Sequence, residues 1–89
     1  MPVDVKVNRM YRIDDEKKRV KAFADIEING ILLIKGLYVV NGKNGLFVSM
    51  PRERGKDNKF YETVRVLTPE VKEKITSCVL SSYTNQAAV

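Results

Sequence analysis

Two glycine turns bracket the most apolar run in this chain, and that arrangement permits few folds. Asn29-Gly30 separates residues 20–28 from 31–40, and Asn41-Gly-Lys-Asn-Gly45 separates 31–40 from 46–50. Asn-Gly between two apolar runs is the strongest short-range hairpin signal, because a type I′ turn needs positive φ at both central residues. Three antiparallel strands in succession are therefore expected. Val20, Ala22, Ala24, Ile26 and Ile28 alternate with Lys21, Phe23, Asp25 and Glu27, the period of two of a strand with one buried face. Phe23 is the exception, an aromatic on the polar face. The next run is apolar on both faces, with Ile31 and Leu33 pointing one way and Leu32 and Ile34 the other. Such a strand needs cover on both sides. Gly36 within it marks a bulge or bend.

The rest of the chain adds to this meander. Val3, Val5 and Val7 alternate with polar residues as a first strand, and Asp14-Asp-Glu-Lys-Lys-Arg19 makes a solvated turn after it. Pro51 has no N–H for a ladder and ends the strand before it. Residues 52–59, with Arg52, Arg54, Lys56 and Lys59 around Gly55, have no apolar anchor and read as an exposed, mobile loop. Residues 60–67 alternate again as a last strand at an edge. Thr68 then suits a helix cap, Pro69 the first helical position and Glu70 the positive end of the dipole. Val71, Ile75, Cys78 and Val79 form an apolar stripe that Leu80 and Tyr83 widen, and residues 85–89 read as a frayed tail. The expected class is α+β: a small antiparallel sheet of about five strands with one C-terminal helix, in a single domain spanning 1–89. One helix covers one sheet face, so the other must meet the remaining sheet or a second subunit.

Size points the same way. A domain of 89 residues buries only about 60–65% of its unfolded surface, and small domains gain stability from disulfides, metals or oligomerisation. Cys78 is the only cysteine and histidine is absent, which excludes a disulfide within the chain and leaves no four-ligand zinc set. Oligomerisation is the remaining route. A lone cysteine suits a reducing compartment. No signal-peptide pattern is visible and no apolar run is long enough to span a bilayer, so a soluble cytoplasmic protein without membrane attachment is expected.

Catalysis has little material. The commonest general base is missing, together with Ser-His and Cys-His pairs, and Cys78 sits on an apolar stripe where a thiol is inert. Asp14, Asp15 and Glu16 lack the spaced ligands of a calcium loop. Gly42-Lys-Asn-Gly45 lacks phosphate-loop spacing and leads into a strand. No enzyme activity, catalytic residue, metal or cofactor is expected. Binding of a polyanion has more support. Sixteen basic against eleven acidic residues leave a net charge of +5, concentrated at the two ends of the chain around a neutral middle, although solubilising charge has the same composition. Arg52, Arg54 and Lys56 on the loop, with Lys72 and Lys74 in the first turns of the helix, are candidate phosphate contacts. Phe23 and Tyr61 are candidates for stacking on unpaired bases, with covering of apolar surface the preferred role for each.

The order of these motifs resembles one family. Asn41-Gly42, Asn44-Gly-Leu-Phe-Val48 and Met50-Pro51, followed by Arg52 and Arg54, are similar to the SpoVG family, stage V sporulation protein G, of septation regulators. The likeness continues through Phe60, Glu62, Lys72-Glu-Lys-Ile75, Val79-Leu80 and Tyr83. The resemblance implies a homodimer formed by strand and helix exchange or pairing, and the two-sided apolar run Ile31, Leu32, Leu33 and Ile34 is the interface expected from its need for cover. It also implies a cytoplasmic bacterial regulator of division septation, sporulation and gene expression that binds DNA and, in addition, RNA. By position, Arg52, Arg54, Lys72 and Lys74 are the nucleic-acid contacts it suggests. The chain departs from the family pattern in its longer, more charged turn at 14–19, in Arg65-Val66 where members tend to have His-Pro, and in Thr68-Pro-Glu-Val71. The alternative is a protein-interaction module of the division apparatus that recruits its partner along an exposed edge strand at 60–67.

Overall fold

Alternation and turn chemistry build a meander, as expected. The computed structural model describes residues 2–13 and 15–87. Strands β1 (Val5–Arg12), β2 (Val20–Ile28), β3 (Leu32–Gly42) and β4 (Gly45–Ser49) form one antiparallel sheet in the order β1-β2-β3-β4. Both turns follow their glycines. Asn29 and Gly30 have φ of 53° and 68°, and Ile31 N–H donates to Ile28 O across the turn at 3.0 Å. Asn29 also anchors the chain start. Its side-chain oxygen accepts from Asp4 N–H at 2.7 Å, and its own N–H donates to Asp4 O at 2.8 Å. The second turn pairs Gly42 with Gly45. A Cβ at Gly42 would stand 2.8 Å from the Phe47 ring, so only glycine lets that ring lie over the turn.

Gly36 is a bulge, as its position predicts. Ala24 pairs with Leu37 and Ile26 with Ile34, so Lys35 and Gly36 stand together opposite Asp25. The extra residue takes φ of 86°, which glycine adopts without a Cβ penalty. Beyond the bulge the alternation resumes in phase. Ala22, Ala24, Ile26, Leu37 and Val39 are fully buried on one sheet face, beneath α1 (Pro69–Ala87). Ile75 and Val79 complete this core, and Val71, Leu80 and Tyr83 pack around it. The predicted helix stripe is thus the one that docks. Pro69 opens the helix, and Thr68 O accepts the first helical bond from Lys72 N–H at 3.1 Å. Cys78 is half-buried and its Sγ–H donates to Val5 O at 3.4 Å.

Three expectations are corrected. Residues 52–59 are largely exposed, as expected, but only 55–59 form the loop: β5 (Arg52–Arg54) pairs antiparallel with β6 (Phe60–Glu62) in a separate two-stranded sheet. Every residue of both strands is exposed, so no buried face imposes a period that would reveal the pairing. The strand predicted over 60–67 is only the three residues of β6, and it lies outside the main sheet. After Pro51 the chain leaves the meander, and Thr63 N–H donates to Pro51 O at 2.9 Å, which closes the hairpin at its base and leaves 63–68 irregular. The described residues therefore form six strands in two sheets. Third, α1 runs through Ala87 where a frayed tail was expected from 85, and residues 88–89 lie outside the described residues, as does Asp14 of the charged turn. The α+β class with one C-terminal helix stands.

Candidate nucleic-acid interface

The β5–β6 hairpin places the basic residues on an ordered arm. Gly55 N–H donates to Lys59 O at 2.8 Å, and Asn58, with φ of 64°, turns the chain. The Asp57 carboxylate accepts from the Tyr61 hydroxyl and from Lys59 N–H at 3.1 Å. These bonds hold the Asp57 carboxyl below its usual range, the Tyr61 hydroxyl contributing most, and the same bond raises the Tyr61 hydroxyl. Arg52, Arg54, Lys56 and Lys59 are all exposed along this arm.

Pro51 is buried at the exit of β4, and its carbonyl accepts from Thr63 N–H, so the base of the arm stands at the end of that strand. There Arg52 lines a shallow cleft with Phe47, Ser49, Glu62 and, from the first turn of α1, Lys72. The residues that sequence reasoning assigned to phosphate contact from two distant segments, Arg52 and Lys72, thus meet at the β4 edge. Lys74 does not join them. Its ammonium donates to Val3 O, at the β1 side of the sheet, because two residues along a helix turn a side chain to another face. Arg54 and Lys56 extend from the arm beyond the cleft.

Among the described residues one ion pair is present, Arg65 to Glu62 at 3.7 Å. Arg12, Arg52 and Arg54 instead lie against aromatic rings. The Arg52 guanidinium lies 5.9 Å from the Tyr38 ring centre and 5.8 Å from that of Phe60, and Arg54 lies 5.3 Å from Phe60. Arg12 lies 4.1 Å over Tyr83 and donates to Tyr83 O at 2.7 Å, a role in fixing α1 on β1 that the sequence did not suggest. No helix among the described residues is long and apolar enough to cross a membrane, and among them no cluster of three or more His, Cys, Asp or Glu could hold a metal.

Comparison with known proteins decides the family. The sequence pattern that defines SpoVG matches residues 2–85. The chain belongs to the SpoVG family. A relative from Archaeoglobus fulgidus named "Putative septation protein SpoVG" is 40% identical over 67 residues, which is 75% of this chain and 79% of that protein. One of the same name from Symbiobacterium thermophilum is 42% identical over 65 residues, 73% of this chain, and this chain spans only 46% of that longer protein. Another from Fusobacterium nucleatum is 30% identical over 76 residues, 84% of this chain and 82% of its own.

Proposed function

We propose that this chain is a dimeric, cytoplasmic, nucleic-acid-binding regulator that acts by contact and not by catalysis, in septation and in sporulation-linked gene expression. The septation role comes from the names its relatives carry. The single observation that carries the binding role is the meeting of Arg52 and Lys72 in one cleft at the β4 edge, beside an arm with three further exposed cations, Arg54, Lys56 and Lys59. None of these cations is in an ion pair among the described residues, although Glu62 lines the same cleft; phosphate contacts release counterions and so weaken with salt.

The protein-interaction alternative rested on a long exposed edge at 60–67. Only Phe60–Glu62 is strand, a short template for β-augmentation, so nucleic acid is the better supported ligand. The test is duplex DNA binding across a salt series. Affinity should fall linearly in log–log form, and Arg52→Ala with Arg54→Ala should weaken binding and reduce the slope by about two. Absence of binding to any nucleic acid at low salt overturns the reading.

A further inference from the structure

The sheet face turned away from α1 carries a row of rings. Ala22 and Ala24 are buried against the helix, so Phe23 between them points to the opposite face. Its partner on β1 is Tyr11 and its partner on β3 is Tyr38. Residues paired across an antiparallel ladder share a face, so three aromatic side chains run in register across three strands, over ~10 Å at the usual strand spacing. Phe23 and Tyr38 meet edge to face with centroids 5.2 Å apart. Tyr11 is 49% and Phe23 37% exposed, a large apolar area to leave in water. A cation stands at each end of the row. Arg9 lies 5.6 Å from the Tyr11 ring centre and donates to its hydroxyl at 2.6 Å. Arg52 bridges Tyr38 and Phe60 at the other end.

We infer that this face is a stacking platform for a single-stranded nucleic acid, with unpaired bases on Tyr11, Phe23 and Tyr38 and the backbone phosphates on Arg9 and Arg52. The inference rests on the nucleic-acid reading above and names the form of the ligand. The chemistry selects it. Ring faces attract any base because every base has a π face, and guanidinium groups at the row's ends complement the phosphates that connect those bases. A duplex keeps its bases stacked inside and cannot offer them to a sheet. Neither Arg9 nor Arg52 is in an ion pair among the described residues, although Asp25 lies across the ladder from Arg9. Arg52 belongs to both the row and the β4-edge cleft that Lys72 also lines, so it connects the face to that cleft.

The test compares a short labelled oligothymidylate with a duplex of equal length by fluorescence anisotropy. The probes meet the unaltered chain and a Phe23→Leu, Tyr38→Leu variant, whose leucines still cover the sheet. Single-strand affinity should fall at least about tenfold, with duplex affinity changed by less than about twofold, and tyrosine fluorescence of the unaltered chain should be quenched by the oligothymidylate alone. Equal loss for both probes, or no loss for either, overturns the inference while leaving the nucleic-acid reading in place. Failure of the unaltered chain to bind either probe removes both. Dissociation of a dimer by the variant with single-strand affinity intact assigns the face to a second copy and overturns it. If the variant does not fold, photocrosslinking of the unaltered chain to a bromouracil-substituted single strand decides: adducts on Tyr11, Phe23 or Tyr38 support the platform, and adducts confined to the β5–β6 arm and α1 overturn it.

Discussion

Asp25 is a charged side chain that the fold takes almost entirely out of water, at 8% exposure, and the β3 bulge explains it. The extra residue at Lys35–Gly36 breaks the ladder and frees the Gly36 N–H, which donates to Asp25 Oδ1 at 3.1 Å. A buried amide without a partner costs about 1–3 kcal/mol. Asp25→Ala should therefore destabilise the chain by about that amount in urea unfolding, while Asp25→Asn, which keeps an acceptor oxygen in place, should cost less. Equal losses for the two would mean that the bond is not what holds the bulge. Gly36 adds a backbone requirement of its own, since its φ of 86° strains any residue with a Cβ. Gly36→Ala should destabilise although open space surrounds the position, which separates conformational strain from steric conflict. Gly36 was legible as a bulge because a lone glycine in a strand has few other uses. Its partnership with Asp25 was not, because nothing local says which residue lies across the ladder.

Each element behaves according to how it is buried. The helix depends on its docked stripe, and Ile75→Ala or Val79→Ala, which open space at fully buried positions, should cost about 1–4 kcal/mol in thermal or urea unfolding. The β5–β6 arm is exposed and depends on polar bonds, so pH should act there. Asp57 has its pKa lowered from 3.8, chiefly by the Tyr61 hydroxyl, so its contribution is complete above that ordinary value and is lost as pH falls through the lower folded value. Tyr61 has its pKa raised from 10.0 by the same bond, so its contribution is complete below 10.0 and is lost as pH rises through the higher folded value. The arm should hold its structure between those limits and loosen beyond either, read from amide signals of 55–61 in an NMR titration. Tyr61→Phe should return the Asp57 titration toward its ordinary range. An unchanged Asp57 titration would show that the bond does not form in solution. The turns, the sheet strands and the helix stripe could be read from the chain because each repeats a local pattern with one dry face. The arm could not, since with water on both sides its pairing leaves no period.

At the scale of the molecule, one sheet face is closed by α1 and the other remains open. The β2–β3 tip exposes Ile31, Leu32 and Leu33 at 87%, 56% and 47%, the apolar cluster on which the dimer proposal rests. Exposed apolar side chains on both sides of a strand tip mark a contact surface. Leu32→Lys with Leu33→Lys should convert a dimer to a monomer in sedimentation or light scattering, with the fold preserved by circular dichroism. A monomer before any substitution would remove the dimer from the proposed function. The amino-acid sequence by itself determined the hairpins, the face that meets the helix, the excess of positive charge and the family, because each is written in neighbouring residues or in a fixed period. Only the tertiary structure decided which cations act together and where the aromatics point. Arg52 and Lys72 line one cleft because α1 packs beside β4, from whose end the arm leaves. Tyr11, Phe23 and Tyr38 form a row because bulges in two strand pairings fix the register, and register is a long-range property that no stretch of sequence contains.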